Sequence, residues 1–330
     1  MNEPIPLQQQ LQGFCDDFER LRRELGKCVV GQEDALEGLL TALVTGGHVL
    51  LEGVPGVGKT LLVRSLAELS ELAFQRIQFT PDLMPADLLG TYVVMETPQG
   101  RRTFQFHQGP IFANIVLADQ INRGMPKTQS ALLEAMEGQS ITVARETFRL
   151  PQPFFVMATQ NPLEMEGTFP LPEPQLDRFF FKLLLRPPTI DQLEAILERT
   201  TEALPPMLSR IVDGPRLLEM RQIARSVSIP GPLRRAASGL VAATQPDADQ
   251  APEIVRRVVR YGCSPRGAQA LVLGAKVRAA AEGRREVSPA DLRAVAHAAL
   301  RHRLILNFEG LAEGVQPDAV IDEILETISK

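Results

Sequence analysis

Through the first two-thirds of the chain, short apolar runs alternate with longer segments whose apolar positions recur every three or four residues. Runs of the first kind fit buried strands and segments of the second kind fit amphipathic helices, so the alternation predicts a βαβ succession and a mainly parallel sheet. Five runs are predicted as buried strands: His48–Leu51, Phe74–Gln78, Ile115–Ala118, Phe154–Thr159 and Phe179–Leu184. A different pattern interrupts the series, where Tyr92–Met95 and Thr103–His107 flank Pro98, Gln99 and Gly100. Apolar runs around a turn former predict a hairpin, here over about 92–107. After Arg186 the pair Pro187 and Pro188 ends the alternation, and the rest is rich in Ala, Leu and Arg at helical spacing. The expected organisation is a core domain over 1–187 and an all-helical domain over 188–330. Within the second, Ser288 and Pro289 occupy the N-cap and N1 positions of a helix, with Asp291 in its first turn, where a carboxylate suits the helix dipole.

The segment Gly53, Val54, Pro55, Gly56, Val57, Gly58, Lys59, Thr60 reads GxxxxGKT, follows a predicted strand and opens a helical run, Leu61–Leu72. That context is what the pattern needs in order to signify a phosphate loop. Glycines permit backbone conformations in which successive N–H groups point inward around a phosphate. The helix that follows adds donors and partial positive charge. Lys59 is placed to reach the β- and γ-phosphates, and the Thr60 hydroxyl to hold magnesium. The loop, extended by Leu61, therefore predicts a site for ATP or ADP with Mg2+.

Beyond the third predicted strand, the apolar run from Ile115 ends in Asp119, as in strands that deliver a second magnesium-associated carboxylate. The next residue in ring ATPases is ordinarily a glutamate that polarises the attacking water; here it is Gln120. An amide can hydrogen-bond that water but cannot take its proton, which removes a general-base contribution of about 10²- to 10⁴-fold. Removing a negative charge beside a triphosphate leaves binding intact. Gln120 thus predicts an ATP-holding, hydrolysis-impaired form, read as an exchange of glutamate that traps the ATP state, with a naturally slow subunit as the alternative.

Charge is uneven. The chain carries a net −5, yet 216–303 holds 16 Lys/Arg against 7 Asp/Glu, a local +9. Either a solvated or subunit-facing helical surface or a polyanion site fits such a balance. The absence of Trp, the two Tyr and the acidic total weigh against nucleic acid, where stacking aromatics and basic grooves are expected. Cys15, Cys28 and Cys263 fit neither a disulfide framework nor a zinc site and read as reduced apolar residues. No stretch has the roughly 18 uninterrupted apolar residues of a membrane helix and the N-terminus lacks a signal-peptide pattern, so a cytoplasmic location is expected.

Several blocks together carry a family signature: LADQINRGMPKTQSALLEAMEG (Leu117–Gly138), FFVMATQNP (Phe154–Pro162) and LPEPQLDRF (Leu171–Phe179). With VVGQEDAL (Val29–Leu36) upstream and SPRGAQAL (Ser264–Leu271) downstream, the chain from about Leu21 onward resembles the MoxR family of AAA+ ATPases. The resemblance implies an α/β fold: a P-loop αβα core with a mainly parallel five-stranded sheet, followed by a smaller helical lid. It implies that Val30, Gly31 and Gln32 line the adenine pocket and that Asn161 is the sensor of the γ-phosphate or attacking water. Arg178 resembles the arginine finger that completes a neighbouring subunit's site, with Arg123 a second candidate at that interface. Arg266 resembles a second sensor, linking nucleotide state to the lid, and the 92–107 hairpin resembles an insertion facing a central pore. It further implies a homo-oligomeric, commonly hexameric ring, a partner containing a von Willebrand factor A domain with a metal-ion-dependent adhesion site, and chaperone-like remodelling or metal-cofactor maturation of a client protein. A DNA-remodelling motor is the alternative, since relatives with the same insertion act on DNA.

Overall fold

A computed structural model of the chain describes residues 6–54, 56–96, 102–161, 167–202 and 208–328. Two helices, α1 (Leu7–Cys28) and α2 (Glu33–Thr45), precede the sheet. The chain continues through β1 (Val49–Glu52), α3 (Lys59–Leu69), β2 (Phe74–Gln78), α4 (Pro85–Leu89), β3 (Gly90–Glu96), β4 (Arg102–Gln108), β5 (Ile115–Asp119), α5 (Pro126–Gly138), β6 (Ser140–Val143), β7 (Glu146–Arg149), β8 (Phe155–Gln160), α6 (Glu173–Leu176) and β9 (Phe181–Leu184). Then come α7 (Ile190–Leu197), α8 (Gly214–Ser226), α9 (Gly231–Ala242), α10 (Glu253–Val258), β10 (Val259–Tyr261), α11 (Pro265–Ala281), α12 (Pro289–Leu300), β11 (Ile305–Leu306), α13 (Phe308–Ala312) and α14 (Pro317–Ile328).

Five strands form one sheet in the order β2-β5-β8-β1-β9, all pairs parallel. Side chains alternate faces along each strand, so the central strands can be apolar throughout and still serve two cores. Val49, Leu51, Ile115, Leu117, Phe155 and Met157 join a cluster with α1, α2, α3 and the later helices. Leu50, Val116, Ala118, Val156 and Ala158 join a second cluster with Leu132, Leu133 and Met136 of α5. Each such Val, Leu, Ile, Phe or Met side chain taken out of water contributes about 1.5–3 kcal/mol before ordering costs. The expectation of five buried strands needs one correction: β2 is an edge strand, and only Ile77 of its five residues is buried.

β3 and β4 form the expected hairpin, extended by a residue or two at each end, with Val94 opposite Phe104 and Tyr92 opposite Phe106. Its turn, including Pro98, Gln99 and Gly100, lies outside the described residues. A second hairpin, β6–β7, was not expected. The two are joined by aromatic contact: Phe106 stacks on Phe148 at 4.2 Å and meets Phe112 edge-on at 5.9 Å, while the Tyr92 hydroxyl donates to Glu146 at 2.6 Å.

The expected all-helical second domain needs a correction, since β10 and β11 pair antiparallel there, Val259 opposite Leu306; its helices share the first cluster with the sheet, and α1 packs between them and the core. Ser288 caps α12 reciprocally with Asp291, whose carboxylate accepts the Ser288 N–H at 2.7 Å. The acidic C-terminal helix α14 packs on α12 and α9, burying Val320, Ile321 and Ile324. Much of the positive charge after Arg216 is paired with acids elsewhere in the chain: Arg216 with Asp17, Arg278 with Glu37, Arg301 with Asp318 and Arg303 with Asp177.

Candidate active site

Because β1, β5 and β8 are parallel neighbours, their C-terminal ends deliver Gly53, Asp119 and Asn161 to one edge of the sheet, the usual place for a ligand in an open α/β sheet. A cavity of about 340 Å³ opens there, lined by Gly56, Gly58, Lys59, Thr60, Leu61, Asp119, Gln120 and Asn161. Gly56 and Gly58 have φ of 84° and 86°, a left-handed backbone natural only to glycine, and a Cβ at either would meet nothing within 4 Å. Gly58 is the N-cap of α3, so the first free N–H groups of that helix follow directly. Lys59 Nζ donates to the Gly53 carbonyl at 2.5 Å and to that of Gln160 at 3.4 Å, which keeps the ammonium over the loop. Pro55 lies outside the described residues.

Two residues at the acidic end were not anticipated. Thr159, fully buried, donates its hydroxyl to Asp119 Oδ1 at 2.7 Å and accepts the Gln120 N–H at 2.8 Å. Arg76, on the neighbouring edge strand, binds the other oxygen, Asp119 Oδ2, through Nη2 at 2.6 Å and Nε at 3.0 Å. The carboxylate is thus aimed by one neighbour and neutralised by another, and a guanidinium stands where the site favours positive charge. Thr60 and Asp119 both line the cavity and offer oxygen donors, which fits magnesium. Gln120 sits in the left-handed region at φ 56°, and its Oε1 accepts from Arg123 Nη1 at 3.3 Å. Arg123 therefore stands beside this cavity.

Arg178 and Arg266 are elsewhere. Arg178 precedes the N-terminal end of β9, which runs parallel to β1, whereas the glycine loop follows the C-terminal end of β1. Arg266, in the first turn of α11, is not among the cavity residues; it shares the carboxylate of Glu137 with Arg178, at 2.7 Å and 3.3 Å. The expected arginine finger, Arg178, and the expected second sensor, Arg266, are thus brought together over Glu137, on the side away from their own glycine loop. Val30, Gly31 and Gln32 do not line the cavity either. The Gln32 amide binds the main chain of Arg186 in both directions, Nε2 to the carbonyl at 2.8 Å and Oε1 from the N–H at 3.3 Å, fastening the segment to the exit of β9.

Residues 48–181 match the model described as "ATPase family associated with various cellular activities (AAA)", and residues 251–324 match the AAA lid domain. Chaperone MoxR1 of Mycobacterium tuberculosis is 40% identical over 94% of this chain and 82% of its own. Protein MoxR of Methylorubrum extorquens is 32% identical over 99% of both. The chain belongs to the MoxR family of AAA+ ATPases. The crystal structure of a candidate ATPase from Cytophaga hutchinsonii superposes with a TM-score of 0.89 at 40% identity, covering 97% of this chain and 96% of that one. Among the described residues no helix is long and apolar enough to cross a membrane.

In this MoxR-family chain the residues missed from sequence had different visibility. Thr159 carried a faint signal, a hydroxyl at the end of an otherwise apolar strand, as buried polar groups are almost always bonded to something. Arg76 and Glu137 carried none, because each acts on a partner more than 40 residues away.

Proposed function

We propose that this protein binds ATP with magnesium at the ends of β1, β5 and β8 and assembles head to tail into a ring. In that ring Arg178 of one copy completes the nucleotide site of the next, and the cycle remodels a client protein. The observation that carries this reading is the convergence of Gly56, Gly58, Lys59, Thr60, Asp119, Gln120 and Asn161 on one cavity. The main-chain amides around the two left-handed glycines and the start of α3 bind the phosphates, and Lys59 leaves the Gly53 carbonyl to join them. Thr60 and Asp119 hold magnesium, which when bound draws charge from the phosphates and fixes their geometry. Asn161 and the Gln120 amide orient the attacking water. Neither removes its proton, so hydrolysis is slow and the ATP state persists.

Position supports a trans role for Arg178: it lies on the side of the sheet away from its own loop, so the phosphate it serves belongs to another copy. A relative named a chaperone supports a client that is a protein; metal-cofactor maturation with a von Willebrand factor A partner is the form of that work which the sequence resemblance implies. The pairing of the basic residues after Arg216 with acids of the same chain favours this over a DNA motor. Calorimetry with magnesium and ATP tests the central claim. Saturable 1:1 uptake is expected, lost by at least about 100-fold in Lys59→Ala, since a charge-assisted phosphate contact contributes about 3 kcal/mol. Uptake that Lys59→Ala leaves untouched would remove the basis of this assignment.

A further inference from the structure

Glu137, the penultimate residue of α5, is held by two cations from distant parts of the chain. Arg266 Nη2 lies 2.7 Å from its Oε1, and Arg178 Nη2 lies 3.3 Å from its Oε2. Glu137 and Arg266 are exposed, at 50% and 44%, and Arg178 is half-buried, at 31%. The neighbouring Arg303 is the opposite case. It is 3% exposed and enclosed by Asp177 and the carbonyls of Phe179 and Phe180, while Asp177 also accepts from Ser264. The charge network therefore has a locked interior half, which joins the lid to the core, and a more accessible outer half, tied to it where Arg266 Nη1 lies 3.5 Å from Asp177 Oδ2.

Two guanidinium groups converging on one exposed carboxylate form a receptor for a single oxyanion of higher charge. A terminal phosphate presents three oxygens to the same planar donors and binds them more strongly than a carboxylate does. Carboxylate and phosphate cannot occupy the donors together, because both are negative. We propose that Glu137 is an internal placeholder for that phosphate, a role that presupposes Arg178 acting across the subunit interface. In the separate protomer it keeps Arg178 and Arg266 paired and facing outward. On assembly the terminal phosphate of the neighbour's ATP displaces it, so Glu137 sets the protein concentration at which rings form.

The test is a dilution series of the full chain with magnesium and ATP, followed by sedimentation velocity, comparing wild type with Glu137→Gln, Glu137→Asp and Arg178→Ala. Exposed ion pairs each change an equilibrium by a few-fold at most, so Glu137→Gln is expected to lower the assembly midpoint by about 3- to 10-fold. Nucleotide affinity of the dilute protomer stays unchanged, and the gain shrinks in high salt. Glu137→Asp, too short to bridge both arginines, falls between. A merely structural ion pair would not promote assembly when removed. A midpoint that is unchanged or raised in Glu137→Gln, while Arg178→Ala prevents assembly, overturns the placeholder and leaves the trans arginine standing. If Arg178→Ala also leaves the midpoint where it was, the trans role itself fails and the placeholder with it.

Discussion

At Gln120 the main-chain N–H is donated to Thr159, φ is 56° and the side-chain oxygen takes a bond from Arg123, so the amide is aimed before any substrate arrives. A glutamate in the same place would inherit that aim and add a proton acceptor. Gln120→Glu is therefore expected to raise the steady-state hydrolysis rate of assembled protein by about 10²- to 10⁴-fold, with little change in ATP affinity. An unchanged rate would mean this position does not face the water. Two histidines make a separate prediction at the same scale. His48 is fully buried, accepts the Val156 N–H at Nδ1 and so keeps its proton on Nε2, which donates to the Met136 carbonyl. Desolvation lowers it to about 4 and lowers His302 well below 6.5. Both are neutral when folded and regain ordinary values when unfolded, so between pH 6.5 and about 4 the unfolded chain binds more protons. Their contribution is full above pH 6.5 and is lost as pH falls below it, by about 1 kcal/mol per pH unit near pH 5.5 for His48, with His302 adding in the same direction. Denaturant titrations at pH 7, 6 and 5.5 measure it; a flat profile would contradict the burial of these rings. Cys263 is held as a thiol, raised to about 12 by burial, in keeping with a reduced apolar role.

Elements are positioned by contacts that local pattern does not encode. The β3–β4 hairpin follows from its own alternation, but its attitude depends on β6–β7, which offers Phe148 as a platform for Phe106. Its root depends on Gly90, where φ is 101° and a Cβ would lie 2.2 Å from the His107 carbonyl and 2.6 Å from the Gly109 nitrogen. Gly90→Ala combines a strained backbone with a clash against main chain and is expected to cost about 1–3 kcal/mol. The loss should appear as faster amide exchange across Thr91–Glu96 and Arg102–Gln108, while exchange in β5 and β8 stays slow; equal loosening of all four strands would show that the hairpin is not an independent unit. β6–β7 was missed because its strands have four residues each and sit between a helix and a buried strand, where so short a run gives little periodicity. The run Phe74–Gln78 was over-read for the converse reason: strand propensity is visible locally, but edge placement is not.

For the whole molecule, the sheet separates two sets of groups, the glycine loop with Lys59 and Asp119 on one side and Arg178 with Arg266 on the other. The proposed head-to-tail contact would bring the two sets together, and head-to-tail contacts that close make rings. In the Gln120→Glu background, Arg178→Ala is expected to leave ATP binding by dilute protomers within about twofold and to lower hydrolysis of concentrated protein by about 10³-fold or more. Mixing that variant with Lys59→Ala should restore part of the activity, since each supplies what the other lacks. No recovery on mixing, with assembly verified, would place Arg178 in its own subunit's site.

The sequence by itself determined the glycine-rich loop before α3, the acidic end of β5 at Asp119 with Gln120 after it, the parallel core and the helical lid. Each of these is written in neighbouring residues, as glycines before a helix, as an apolar run ending in a charge, or as periodicity. Only the tertiary structure decided that Thr159 and Arg76 hold Asp119, that Gln32 binds the main chain of Arg186, and that Arg266 stands beside Arg178 over Glu137. Those are meetings of residues tens to more than a hundred positions apart. A hydrogen bond or ion pair acts over about 3 Å, and which distant groups come that close is set by strand order and helix packing, which no local stretch of chain specifies.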